Sequence, residues 1–387
     1  MQKKLNVLFL SSWYPCPDNE HNGNFVVRHA VAVAKYANVY LIYLCSEKNI
    51  KTVKKVESIN NGVREIRIFY PRVKNSMPVL GYVSRFFRIR RLYYNAFLEL
   101  KNELGNIDVI HANVTYPIGV VARYIHKKSH IPFVITEHWT GYMPENRKSL
   151  SYYGLVQSRL VGKDAAFIMP VSYDLKNSME RLRIRGNYRV VYNVVDTGLF
   201  TLKEPKHNPL RFIHVSTLDD VHKNISGILR AVKALSNERD DFTMVIVGDG
   251  NTKPHRDYAK KLAIPNKLIK IEGAKPIEEI AAMMRQSDVF VLFSNYESFS
   301  CVISEALCTG MPVISSNTGA IGERLDKSNG ILIEPKDEEA LKDSMAYFID
   351  NYSKYDAAKI RADAVKKYNY DVVGQQFVEI YHEAVKG

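Results

Sequence analysis

Short apolar runs alternate with helical patterns from one end of the chain to the other, which is the arrangement of α/β layers built on parallel sheets. In the first half, the runs that read as strands fall at 5–11, 39–45, 64–70, 108–111, 132–136, 165–172 and 188–194. In the second half they fall at 211–216, 242–247, 268–272, 288–294, 312–316 and 330–333. A polar, Pro-bearing segment from Asp196 to Pro209 separates the halves, and a long helical tail ends in a helix over about 372–386. One unit carries most of the local information. Asp288 to Ser294 is nearly continuously apolar, as expected of a strand buried on both faces. A polar turn, Asn295 to Ser298, follows, and Ser300 to Thr309 reads as a helix with Ser300 as its N-cap, Gly310 as its stop and Pro312 beyond. Strand, tight turn and helix together present free backbone N–H groups at the carboxyl edge of a parallel sheet, where anions bind.

Length adds that one core is not enough: 387 residues predict two domains. Charge adds an asymmetry. Residues 1–200 hold 29 Lys and Arg against 14 Asp and Glu, while residues 201–387 hold 25 against 27. A basic half calls for an anionic partner or surface. The four cysteines, 16, 45, 301 and 308, form no C-x2-C pair, so neither a disulfide framework nor a zinc site is expected. The apolar Leu5–Leu10 is too short for a signal-peptide core, and no stretch reaches the ~18 apolar residues of a spanning helix.

The candidate chemistry begins with two carboxylates, Glu297 and Glu305, with seven residues between them. One lies in the turn and the other inside the helix, so they reach different parts of one extended ligand. No Lys or Arg lies between 286 and 323 to pair with either locally. Strand ends at His111 and His138 place two imidazoles where α/β sheets meet ligands, each either functional or a structural histidine. Gly23, after the first strand's loop, serves either that turn or the close approach of a phosphate. Residues 66–98 contain no acid but hold Arg67, Arg72, Lys74, Arg85, Arg88, Arg90 and Arg91, interleaved with Phe86, Phe87, Tyr93 and Tyr94. On a helix, Val83, Phe86, Phe87, Tyr94, Phe97 and Leu98 share a face. Such a helix either rests on an anionic bilayer or packs its aromatics into the first domain with a solvated basic side. No helix-turn-helix, zinc finger or aromatic RNA-binding signature accompanies the charge, so nucleic acid is not expected.

The stretch DVFVLFSNYESFSCVISEALCTGMP (288–312) resembles the Glu-x7-Glu signature of the retaining GT-B glycosyltransferases of family four, also called group 1. The overlapping EALCTGMPVISSNTGAIGE resembles that family's helix, turn, strand and Gly-rich loop. The resemblance implies that Glu305 holds the ribose of a nucleotide-sugar, that Glu297 holds donor-sugar hydroxyls, and that the backbone of Phe299, Ser300, Cys301 and Val302 faces sugar and diphosphate. RFIHVSTLDDVHKN (211–224) resembles the segment that normally carries Gly-Arg-Leu and then a phosphate-binding Lys, here Lys223. The customary Arg is absent, and Thr217 stands near its place. TMVIVGDGN, with Gly248, and IEGAKP, with Gly273 and Ala274, resemble the donor site's Gly-rich turn and the loop that packs on the base. VITEHWTGY resembles the family's T-x-H segment and puts His138 beside the reacting sugar; Gly23 falls in the family's diphosphate-side loop. Several bacterial enzymes of the resembled class use such a basic aromatic patch to reach lipid-linked acceptors, and the resemblance marks Arg85, Phe86, Arg88, Arg90 and Arg91 for that role.

The expectation is therefore an α/β, GT-B architecture, two Rossmann-like domains facing across a deep cleft. Residues 1–197, with a C-terminal helix at about 370–387 packing back on them, would take the acceptor; residues 198–369 would bind the donor. The reaction implied is retaining transfer of a hexose-type sugar from a UDP- or GDP-sugar to a glycan or lipid-linked acceptor, in cell-surface polysaccharide or glycolipid synthesis. Lys223, Glu297 and His138 carry it, and neither a metal nor another cofactor is expected. The implied location is cytoplasmic, or peripheral on the inner face of the cytoplasmic membrane. A sugar-nucleotide epimerase on the same fold and a non-catalytic sugar-nucleotide or lipid-headgroup binding module are the alternatives. A dinucleotide-dependent oxidoreductase is disfavoured, since no G-x-G-x-x-G follows the first strand.

Overall fold

The structure, a computed structural model, describes residues 4–16, 22–72, 78–297 and 299–387. Lys74 and Ser298, which the sequence places in the basic segment and the turn, lie outside them, as does the side chain of Val83. The chain divides into two units, Met1–Val194 with Tyr370–Gly387, and Val195–Asn369.

The first unit is a seven-stranded sheet of β1 (Asn6–Ser11), β2 (Asn38–Glu47), β3 (Lys54–Asn60), β4 (Val63–Pro71), β5 (Val109–Asn113), β6 (Phe133–Glu137) and β7 (Phe167–Pro170), in the order β3-β4-β2-β1-β5-β6-β7. All neighbours run parallel except β3, which pairs antiparallel with β4. Val7 to Leu10 of β1 and Phe133 to Ile135 of β6 are fully buried, because helices cover both faces of a parallel sheet. Five helices follow in sequence: α1 (Asn24–Ala34), α2 (Pro78–Leu104), α3 (Ile118–Ser129), α4 (Tyr152–Asp164) and α5 (Tyr173–Arg181). The last helix of the chain, Tyr370–Lys386, completes this unit, with Val373, Phe377, Ile380 and Tyr381 in one core with Phe9, Val26, Val33 and Tyr43.

The second unit is a six-stranded, wholly parallel sheet of β8 (Leu210–Thr217), β9 (Phe242–Asp249), β10 (Ile269–Glu272), β11 (Val289–Leu292), β12 (Val313–Ser316) and β13 (Gly330–Ile333). Its order is β10-β9-β8-β11-β12-β13. The helices are α6 (Asp220–Lys223), α7 (Ile225–Ser236), α8 (Lys253–Lys261), α9 (Ile277–Arg285), α10 (Cys301–Thr309), α11 (Glu338–Asn351) and α12 (Ala357–Tyr368); the final helix of the first unit is α13. In both units the strand order reverses beside the first strand, at β1/β5 and at β8/β11, and ligands bind doubly wound sheets at such reversals.

Three local expectations need correction. Strand β3, KKVESIN, is missing from the sequence reading; it is an exposed edge hairpin partner with no apolar alternation to announce it. Residues 188–194 are not a strand: an apolar run there makes only one bridge, Ile168 to Tyr188. The buried stripe of α2 is Tyr93, Ala96, Phe97 and Leu100, whereas Phe87 and Leu98 are 51% and 38% exposed, so the projected aromatic face is split between core and surface.

Candidate functional site

In the second unit, six parallel strands deliver their following loops to one edge. Lys223 comes from the short helix after β8 and Glu297 from the loop after β11, neighbours across the reversal of strand order. Their side chains form an ion pair, 18% and 7% exposed. Ser294 Oγ donates to the same Glu297 Oε1 at 2.9 Å. Asn295 fastens the two loops, its backbone N–H donating to His222 O at 2.8 Å and its Nδ2 to Val221 O at 2.9 Å. Glu297 thus does have an ion-pair partner, 74 residues away in sequence, which no local inspection finds.

Phe299 and Ser300 lead into α10, whose first residues are Cys301 and Val302. Ser300 is not the side-chain N-cap that the sequence suggested. Its φ is 55°, it makes no capping bond, and its buried Oγ has no partner among the described residues. The helix start is fixed instead by Arg324, which the sequence reading missed. This guanidinium, 5% exposed, donates to Phe299 O, to Ser300 O at 3.0 Å and to Ser304 Oγ at 3.0 Å, and lies 4.3 Å from the centre of the Phe299 ring. It forms no ion pair among the described residues, and burial lowers its pKa. A trans peptide points its C=O and N–H in opposite directions. Holding the carbonyls of Phe299 and Ser300 therefore turns the N–H groups of Ser300 and Cys301 away from Arg324, and the first amides of a helix have no intrahelical acceptor. Glu305 is buried in the second turn of α10.

Gly248 is the next-to-last residue of β9, and Gly273 and Ala274 follow β10, at the same sheet edge. Gly248 needs its missing side chain for packing, since a Cβ would sit 1.7 Å from Ser216 O. Thr217, which stands near the place of the family's customary Arg, ends β8.

In the first unit, His138 follows β6. Glu137 shapes that strand end: its buried carboxylate accepts from the amides of Thr115, His138 and Trp139 at 2.7, 2.9 and 2.8 Å, and burial raises its pKa. The His138 ring lies 4.2 Å from Phe25 and 5.4 Å from His29, centre to centre. Its Nε2 is sealed from solvent and has no partner among the described residues; burial, then neighbouring His29 and His111, holds its pKa well below the ordinary value. His111 is a structural histidine, with Nδ1 2.6 Å from Tyr381 Oη and Nε2 2.5 Å from Thr136 Oγ1. Gly23, φ 69°, is explained by its own loop, because a Cβ would lie 2.3 Å from Trp13 O.

The basic segment divides. Arg90 is folded between rings, 4.7 Å from Phe87 and 4.4 Å from Tyr124, in an apolar cavity of about 760 Å³ that Phe86, Val120 and Tyr153 also line. Arg88 lies over Tyr70, while Arg85 and Arg91 are exposed. Among the described residues, no helix is long and apolar enough to cross a membrane, and no group of three or more His, Cys, Asp or Glu is placed to hold a metal.

Comparison with known proteins agrees with this arrangement. Residues 34–199 match the model of Glycosyltransferase Family 4, and residues 201–365 that of Glycosyl transferases group 1. An uncharacterized glycosyltransferase of Methanocaldococcus jannaschii is 28% identical over 66% of this chain and 70% of its own. The MMP alpha-(1->4)-mannosyltransferase of Mycolicibacterium hassiacum is 26% identical over 74% and 73%. Among solved structures, the sucrose-phosphate synthase of Thermosynechococcus elongatus superposes with a TM-score of 0.75 at 17% identity, covering 98% of both chains. HepE of Anabaena superposes at 0.69 and 19%, covering 97% and 98%. With two parallel-sheet α/β units of the GT-B type and both halves of the chain matched, the protein belongs to the group 1, family four glycosyltransferases.

Proposed function

We propose that the second unit binds a UDP- or GDP-sugar and that the enzyme transfers a hexose-type sugar, with retention, to a glycan or lipid-linked acceptor. The observation that carries this reading is the meeting of Lys223 and Glu297 at the reversal of strand order, beside the start of α10. The solved structures of Anabaena HepE with UDP-glucose and of the E. coli trehalose-6-phosphate protein with UDP-2-fluoro glucose lend support, since both share the fold.

In this reading the bond between the anomeric carbon and the diphosphate breaks, and charge builds on the departing oxygen. Lys223 and the amides of Ser300 and Cys301 oppose that charge from positions set before reaction, which is where such groups act most strongly. Arg324 supplies, from beneath the helix start, positive potential that Thr217 does not. The acceptor hydroxyl attacks on the face the diphosphate leaves and gives its proton to the leaving phosphate oxygen. Glu297 orients Lys223 and the donor hydroxyls, and Glu305 takes the ribose. A thermal-shift panel of UDP-, GDP- and ADP-sugars tests the donor: one nucleotide class should raise the melting point in proportion to ln(1 + [L]/Kd). A flat response across the panel removes the reading.

A further inference from the structure

We infer that the acceptor is a saccharide bearing a phosphate or carboxylate, and that its anionic group is received by Arg72, Arg85 and Arg88. This inference rests on the second unit taking the donor.

Arg72 follows β4, while Arg85 and Arg88 project from α2. All three line one cavity of about 170 Å³ with Ser46 and Tyr70. Among the described residues none of them pairs with a carboxylate. Arg88 is held in place by the Tyr70 ring, 5.6 Å from its guanidinium, and by Pro71 O at 3.4 Å. Three guanidiniums around one small space repel one another and raise the local potential; an anion seated there relieves both. Guanidinium forks match phosphate and carboxylate oxygens two at a time, which makes arginine the fitting residue for these groups.

The position supports a substrate rather than a stray ion. A second cavity, about 380 Å³, shares Ser46, Tyr70, Arg72 and Arg85 with the first. Ser12 from the loop after β1 and Pro117 from the loop after β5 border it, which places it at the reversal of strand order in this unit. Tyr43, Tyr93 and Phe86 line its interior. A charged mouth opening on an aromatic chamber of sugar size fits a ring that carries an anionic substituent. The arginines face concave spaces, which suits a compact anion better than a flat bilayer.

The test uses the full chain saturated with whichever nucleoside diphosphate stabilises it most, so that the second unit is occupied. Inorganic phosphate is titrated by ³¹P NMR. Glucose 6-phosphate and glucuronic acid are compared with glucose by calorimetry, and phosphatidylglycerol vesicles with phosphatidylcholine vesicles by sedimentation. The wild type should bind phosphate, and at least one anionic sugar ten-fold or more tighter than glucose. Arg72→Gln/Arg85→Gln should erase both preferences with unchanged melting point and nucleotide affinity. Arg85→Glu, at an exposed position, should do the same if the double variant folds poorly. Anion binding that is absent from the wild type or survives in the variants overturns the inference. So does a substitution effect seen only with phosphatidylglycerol vesicles, which would assign the arginines to a membrane. If no nucleoside diphosphate binds the wild type, the donor reading falls instead, and the phosphate titration without nucleotide still reports on the arginines.

Discussion

Apart from the extra antiparallel edge strand β3, the two sheets share one strand order, and they differ in how they treat charge at the edge where it reverses. In the second unit, Lys223 is neutralised by Glu297 and the loops carrying them are tied through Asn295. In the first unit, Arg72, Arg85 and Arg88 gather without a carboxylate among the described residues. A paired cation is already positioned, at the cost of desolvating two charges, and suits a site that must be ready when a leaving group departs. An unpaired cluster suits capture, since attraction at a distance is what uncompensated charge provides.

The sharpest way to break the comparison is at the paired cation. Lys223→Ala should lower turnover by about 100–1000-fold, roughly 3–4 kcal/mol, if it opposes leaving-group charge. A loss under ten-fold would reduce it to a surface lysine. Acid separates the units next. His29, His111 and His138 are buried neutral in the first unit, with His29 held at about 3; in the second, His214 is held at about 4 by the same cause, burial. A folded pKa below the unfolded one means that the unfolded chain binds the extra protons, so stability present above about pH 6.5 is lost as pH falls. Each histidine contributes up to about 1.4 kcal/mol per pH unit, so the first unit should weaken roughly three times as steeply. Both tryptophans, Trp13 and Trp139, lie in the first unit, so their fluorescence follows it alone. Between pH 7 and 5.5 the tryptophan-detected midpoint should fall faster than the calorimetric transition of the second unit; parallel falls would refute the assignment.

Arg324→Met should cost about 2 kcal/mol in chemical denaturation, because it strips partners from buried carbonyls. It should also weaken nucleoside diphosphate binding more than nucleoside binding; equal losses would mean that it only supports the core. Smallest, Glu305→Ala should weaken free nucleotide by about 1–2 kcal/mol, the loss of a charge-assisted hydrogen bond, and calorimetry showing no change would reject the ribose role.

These contrasts were unevenly legible in the sequence. Parallel strands such as β1, β6 and β11 announce themselves because burial on both faces makes them continuously apolar. Strand β3 does not, since only backbone pairing with β4 defines it. The run at 188–194 misled by degree: its backbone bonds to β7, with Arg189 N–H on Ile168 O and Val191 N–H on Pro170 O, but it makes only the single bridge at Tyr188 and no extended strand. Lys223 and Glu297 were each visible as motif residues, but their pairing belongs to strand order and cannot be read locally. Arg324 was hidden because one arginine after a Gly-rich loop looks like ordinary surface until the fold buries it. The aromatics of α2 share a helical face on paper, yet only neighbours decide that Phe97 is buried and Phe87 exposed.

The return of α13 to the first unit has a consequence for biosynthesis. Phe377 and Tyr381, which wall the core and hold His111, are made only after the whole second unit has been translated. The nascent first unit must therefore wait on the ribosome with an open apolar face, a state in which chains are prone to associate wrongly. Removing these last seventeen helical residues would leave that face permanently uncovered.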